Sequence, residues 1–155
     1  STDELNDVIQ HLIDNDVVFK ENLKHRVSHP EIFKRPAQED ARVCGVGMST
    51  MCMVANGNVY PCAGWQQYVC GNLNDTSLSE IWNNSPAINY LRKLRLKDFK
   101  QCVGCKDFDY CAMCMSRNSN EDSDGNLFNI PEITCKAAQI HHQLVESYKE
   151  RLCGD

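Results

Sequence analysis

Long hydrophobic runs are missing from this 155-residue chain, and so is any signal-peptide pattern. No apolar stretch approaches the roughly 20 residues that span a bilayer, so no membrane partner is expected. Aromatic residues are scarce, at 8%, and a mean hydropathy of -0.47 describes a thin core. Domains with so little apolar interior usually need staples. A basic excess is also missing: 16 Lys and Arg stand against 21 Asp and Glu, for a formal net charge of -5. That balance argues against nucleic acid as the main partner. The one basic run, Arg92-Lys93-Leu94-Arg95-Leu96-Lys97, has helical spacing and reads as a solvated face. No Ser/His/Asp or Cys/His arrangement stands out, so acid/base or nucleophilic catalysis within this chain has little support. Repeats and low-complexity segments are absent too. The first residue is Ser rather than Met, which suits a piece excised from something longer.

Cysteine is abundant instead. There are ten: Cys44, Cys52, Cys62, Cys70, Cys102, Cys105, Cys111, Cys114, Cys135 and Cys153. Four of them fall between Cys102 and Cys114, as two Cys-x-x-Cys turns five residues apart. Each such turn can aim two thiolates at one ion, while its backbone N–H groups point at the sulfurs and offset their charge. A disulfide pair or buried packing thiols are the alternatives, but density of this kind is seldom mere packing. The pattern favours metal thiolates in a reducing cytosol over secreted disulfides, so the expected location is cytoplasmic. Spacing alone leaves the metal open. Cys102, Cys105, Cys111 and Cys114 could close one tetrahedral zinc site and the earlier cysteines a second, which would make the chain a zinc-binding interaction module. A free-standing electron carrier is a third reading.

Around the cysteines the pattern predicts an α+β fold: small, irregular, stabilised by metal clusters, with one β-hairpin and several helices. Residues 1–28 read as helix, with Thr2 as N-cap, a break at Asn15-Asp16, and a stripe of Leu5, Val8, Ile9, Leu12, Ile13, Val17, Val18, Phe19 and Leu23. A linker follows from His29-Pro30 to Arg42, and His25 and His29 read as surface histidines. Ser49 to Val54 and Asn58 to Cys62 read as strands around a two-residue Asn56-Gly57 turn, both of whose positions tolerate positive φ. Met51 and Met53 would share one face and Cys52 the other. Ser77 to Glu80 is a capping box ahead of a short helix, and Ser85-Pro86 starts another that should run to about Lys97. Asn118 to Asn129 reads as an exposed polar loop turning at Asp124-Gly125. A last helix should begin near Thr134 or Cys135, carry Ile140, Leu144, Val145 and Tyr148 inward, and leave His141 and His142 on its surface.

Written as spacings, the chain is Cys44-x12-Gly57-x4-Cys62, a gap, Cys102-x2-Cys105-x5-Cys111-x2-Cys114, a gap, and Cys135. This resembles the SPASM domain, the C-terminal auxiliary-cluster domain of many radical S-adenosylmethionine enzymes, whose signature is C-x9-15-G-x4-C, gap, C-x2-C-x5-C-x3-C, gap, C. The segments Gly57 to Cys62, Gly71-Asn72-Leu73 and Ser77 to Trp82 also look like that family's. The departure is at Cys111 and Cys114, which are separated by two residues where the family usually has three.

The resemblance implies two [4Fe-4S] clusters. Cys44, Cys62 and Cys114 match ligands of the first, while Cys102, Cys105, Cys111 and Cys135 match ligands of the second. Cys52 is the expected fourth ligand of the first cluster, with Cys70 as the alternative, and Cys153 is expected to be no ligand. Residues 1–43 would be a helical linker to an upstream radical S-adenosylmethionine domain, and 44–155 the auxiliary domain. The C-x3-C-x2-C motif that holds the catalytic cluster of such enzymes does not occur here. By itself the chain should therefore not cleave S-adenosylmethionine. Members of the family mostly modify peptides or proteins, including the maturation of ribosomal peptides. A domain of this kind would serve electron transfer, peptide binding or both.

Overall fold

The computed structural model describes residues 2–153, without the side chains of Thr2, Leu5 and residues 151–153. The expected Thr2 cap, the Leu5 end of the stripe and the expectation for Cys153 lie outside the described residues. The chain divides into two compact units. One comprises Ser1–Arg35, Lys106–Ala112 and Glu132–Asp155, and the other Pro36–Cys105 and Met113–Pro131.

The first unit is helical. Helix α1 (Thr2–Asn15) gives way to α2 (Val17–Ser28) at Asp16. Asp16 is extended, and its carboxylate accepts the Phe19 N–H at 2.9 Å, so it ends one helix and caps the next. Helix α6 (Glu132–Cys153) is the third long element. Ile13, Leu23, Val145 and Tyr148 form the core here, with Ile9, Phe19, Val27, Tyr110 and Leu144 around it. Three members of the expected stripe are largely exposed: Val8, Val17 and Val18, at 54%, 75% and 70%. The cap at Asp16 restarts the helix and turns the first residues of α2 outward.

The second unit is built on a three-stranded antiparallel sheet in the order β1 (Cys52–Met53), β2 (Asn58–Tyr60), β3 (Gly71–Asn72). The predicted hairpin is its first half, with Cys52 opposite Tyr60 and Met53 opposite Val59. The strands are shorter than expected, and the turn differs. Gly57 has φ +87°, whereas among the described residues no residue other than glycine has positive φ. Gly57 N–H donates to Val54 O at 2.9 Å and Val54 N–H to Asn58 O at 3.1 Å, which describes a three-residue loop ending in a left-handed glycine. Asn56 stays right-handed because its side chain accepts the Asn58 N–H at 3.0 Å, while Asn72 and Asn74 both donate to its carbonyl. Met51 packs against the core and Met53 is 51% exposed, so they do not share an environment.

A Cβ at Gly57 would lie 2.6 Å from Asn72 Oδ1 and 2.7 Å from Asn74 Nδ2. Gly57→Ala should therefore destabilise the unit by at least about 1–2 kcal/mol through the left-handed backbone alone. A lowered urea midpoint at unchanged slope is the expected result.

Below the sheet, α3 (Leu78–Asn84) is capped by Ser77, whose hydroxyl accepts the Glu80 N–H at 3.2 Å. Helix α4 (Pro86–Lys93) stops four residues short of the expected end near Lys97. Leu94 turns extended, and the chain then lies against residues 39–41: Leu96 N–H donates to Ala41 O and Lys97 N–H to Glu39 O, each at 2.9 Å. Ile88, Leu91, Leu94 and Leu96 are all buried, so the basic run from Arg92 to Lys97 is not solvated throughout.

The stretch after Cys114 departs most from expectation. Met115–Glu121 is helix α5, and Asn118 within it is 0% exposed. Its amide donates to Leu127 O at 3.0 Å. Asp122 then ties the following loop by accepting from Asp124 N–H, Asn126 N–H and Asn129 Nδ2. A segment that reads as solvated by composition is held by its own polar groups.

Candidate metal centre

Within the second unit, Cys44 opens a tight loop. Val46 N–H points at Cys44 Sγ at 3.4 Å, and Met48 and Ser49 N–H both donate to Gly45 O. Gly47, at φ +71°, lets that loop lie against α4: a Cβ there would sit 3.4 Å from Ile88 Cγ2. Arg92 Nε donates to Gly47 O at 2.7 Å. Cys62 follows β2 and Pro61, and its carbonyl accepts Trp65 N–H at 3.1 Å.

Cys114 is the N-cap of α5. Burial pushes its thiol up. The Ser116 hydroxyl, the Arg117 and Ser116 N–H groups and the Arg117 charge outweigh that and pull it below the ordinary range. Ser116 Oγ lies 3.1 Å from the sulfur. Gly64 links the two cysteines: a Cβ there would lie 3.3 Å from Ser116 Oγ and 4.0 Å from Cys62 Sγ. The missing side chain thus leaves room between Cys62 and the Cys114-Ser116 pair. N–H donors and open space beside sulfur suit a thiolate that ligates iron.

The two candidates for a fourth ligand differ in environment. Cys52 is half-buried on β1. Cys70 lies in the core with Val59, Ile81 and Ile88. Its sulfur is 3.7 Å from Tyr68 O, and burial pushes its thiol up to about 11. An apolar site disfavours the charged form.

Cys102 ends a 3-10 turn and is buried. Cys105 N–H closes on Cys102 O at 3.3 Å. Val103, at φ -67° and ψ 123°, and Gly104, at φ +70°, give the bend of a type II turn. The second position of that turn needs a residue that accepts positive φ, and glycine supplies it. Cys105 is exposed. Among the described residues no three His, Cys, Asp or Glu side chains converge as they would on a single ion. A cluster of several iron and sulfide ions holds its ligands farther apart than one ion does.

In the first unit, Cys111 leaves the 3-10 turn Phe108–Tyr110 in an extended conformation and is half-buried. Cys135 is exposed on the first turns of α6. His141 and His142, expected on the helix surface, are both half-buried and engaged. His142 Nδ1 lies 2.7 Å from Asp107 Oδ1, and its ring stacks on Tyr110 at 4.2 Å. His141 Nδ1 lies 3.3 Å from Tyr110 O. Burial and the Arg26 charge hold the His141 imidazole below its ordinary pKa, so it favours the neutral form. The correction has a physical reason: residues 106–112 cover that face of α6, and no local pattern around His141 announces a partner 31 positions away.

Comparison with known proteins accords with the cysteine spacing. Residues 44–115 match the SPASM family model, described as an iron-sulfur cluster-binding domain. Over that stretch the resemblance drawn from the motifs is borne out, and the small α+β architecture with it. Cys135 lies beyond the match. A relative from Oleidesulfovibrio alaskensis, an AdoMet-dependent heme synthase, is 32% identical over 89 residues. That alignment covers 57% of this chain and 22% of the relative, so the chain spans about a fifth of the protein it matches. No solved structure matches. Among the described residues no helix is long and apolar enough to cross a membrane.

Proposed function

We propose that this chain is the auxiliary iron–sulfur portion of a cytoplasmic radical S-adenosylmethionine enzyme that modifies a peptide or protein. The observation that carries the reading is the match of seven cysteines and Gly57 to the SPASM signature, with Cys114 one residue early, supported by the family match over residues 44–115. Cys44, Cys52, Cys62 and Cys114 would hold the first of two [4Fe-4S] clusters, and Cys102, Cys105, Cys111 and Cys135 the second. Bound there, such clusters supply one-electron transfer at potentials set by ligation, hydrogen bonding and burial. The chain's own share is to favour the thiolate form of Cys114 through Ser116 and Arg117, and to leave space at Gly64. Residues 1–43 would join an upstream domain that carries C-x3-C-x2-C and binds S-adenosylmethionine.

The relative's name favours a second substrate class. That relative is named for the synthesis of heme, a tetrapyrrole, and its likeness extends over 89 residues of this chain. Binding of a leader-type peptide against binding of an iron porphyrin, each titrated into the full-length enzyme, separates the two.

Anaerobic iron and sulfide quantitation with Mössbauer spectroscopy tests the metal reading. About eight irons and eight sulfides per chain are expected from two [4Fe-4S] centres. Two zinc ions and no acid-labile sulfide would replace this reading with an interaction module built on two four-cysteine zinc sites. Cys52→Ser and Cys70→Ser test the fourth ligand. The first should alter the Mössbauer signature of one centre, and the second should leave both signatures unchanged, because Cys70 is committed to the apolar core. The reverse pattern would exchange their roles.

A further inference from the structure

Three consecutive carbonyls beside Cys111 are each met by a basic side chain. Arg26 Nη2 donates to Asp109 O at 2.7 Å, His141 Nδ1 lies 3.3 Å from Tyr110 O, and Arg35 Nη1 donates to Cys111 O at 2.6 Å. Arg35 holds the segment at two further points. Its backbone N–H donates to Asp109 Oδ1 at 3.0 Å, and its guanidinium lies 4.5 Å above the Phe108 ring. Arg35 thus fastens three of the four residues from Phe108 to Cys111, and His141 meets the fourth, Tyr110. Residues 108–110 form only a single 3-10 turn, too short to fix the conformation at its end without outside partners.

We propose that Arg35 is a positioning residue for Cys111, fixing the cysteine's peptide and placing a permanent positive charge on its carbonyl. The inference rests on the reading of Cys111 as an iron ligand. A guanidinium stays charged at any ordinary pH, and its hydrogen bond to a carbonyl is charge-assisted. Positive charge close to a ligating thiolate favours the more negative, reduced form of the centre attached to it. Removing it lowers the reduction potential of that centre and leaves one held elsewhere unchanged. Arg26 and His141 meet the neighbouring carbonyls, and His141 favours the neutral form, so Arg35 alone places a permanent charge on the Cys111 carbonyl.

The test uses the anaerobically reconstituted chain, wild type beside Arg35→Gln, Arg35→Lys and Cys111→Ser, with both reduction potentials read by EPR-monitored titration. Arg35→Gln should keep its iron and shift one potential to a more negative value, leaving the other unchanged. Arg35→Lys, which keeps the charge without the planar fork, should fall between it and wild type. Loss of the one centre also lost in Cys111→Ser would support the proposal too. Two unshifted potentials, an equal shift of both, or loss of both centres would overturn it. Should Arg35→Gln not fold, Arg35→Lys keeps the packing on Phe108 and decides by the same criteria. Full iron in Cys111→Ser would instead overturn the ligand assignment beneath the proposal, so the two failures are distinguishable.

Discussion

Cys105→Ala should bind about half the iron of the wild type, through loss of the second centre, and should be much less soluble as isolated. Cys105 is exposed at the end of a type II turn, so its side chain contributes no core packing. Truncating an exposed side chain away from special features changes stability by no more than about 0.5 kcal/mol. A large effect on folding therefore has to come through a bound metal. The turn itself survives, because the bend depends on Gly104 at φ +70° and on the Cys102 carbonyl, neither of which the substitution touches. Iron and sulfide per chain, with far-UV circular dichroism on the same sample, check this. Full iron and unchanged solubility would contradict the assignment of Cys105.

How much of this was legible in the chain depends on how local the cause is. Caps and turns depend on neighbours: Asp16 and Ser77 cap helices with their own side chains, and Asp124-Gly125 turns where the dipeptide says it should. The break between α1 and α2 follows from Asp16 alone. The cysteine register was legible for the same reason, since a signature of spacings needs no tertiary knowledge. Asn118 was not, because nothing in a polar run distinguishes the one amide that donates to Leu127 O from neighbours that face water. Strand β3 was missed because Gly71-Asn72 carries no β-branched or aromatic residue. It pairs with Asn58 and Val59 through geometry set by the hairpin. The bracket around residues 107–111 was illegible for a different reason. Its donors, Arg26, Arg35, His141 and His142, lie 31 to 83 positions from what they hold. Basic residues at that separation, on helices or, for Arg35, in the loop after Phe33, look like any solvated face.

Ile88→Ala should lower the unfolding free energy of the protein by about 2–5 kcal/mol and weaken iron retention at the first centre alone. Ile88 is 0% exposed and packs with Val59, Cys70 and Ile81, so truncation opens a cavity directly under the sheet. Its Cγ2 is also the surface on which the Cys44 loop rests, 3.4 Å from where a Gly47 Cβ would be. The packing that stabilises the sheet therefore also seats a candidate ligand. Ile88→Val removes one methylene and should cost about 0.5–1.5 kcal/mol, too little to release the loop. Arg92→Ala provides the complementary case, because it removes the 2.7 Å hydrogen bond to Gly47 O and leaves the cavity closed. If seating of Cys44 controls the first centre, Arg92→Ala and Ile88→Ala should both raise the rate of iron loss to chelator from one centre, with the larger stability change only in Ile88→Ala. Equal rates of iron loss in all three variants and wild type would mean that Cys44 is placed by its own turn, Val46 N–H to sulfur, and not by the helix beneath it.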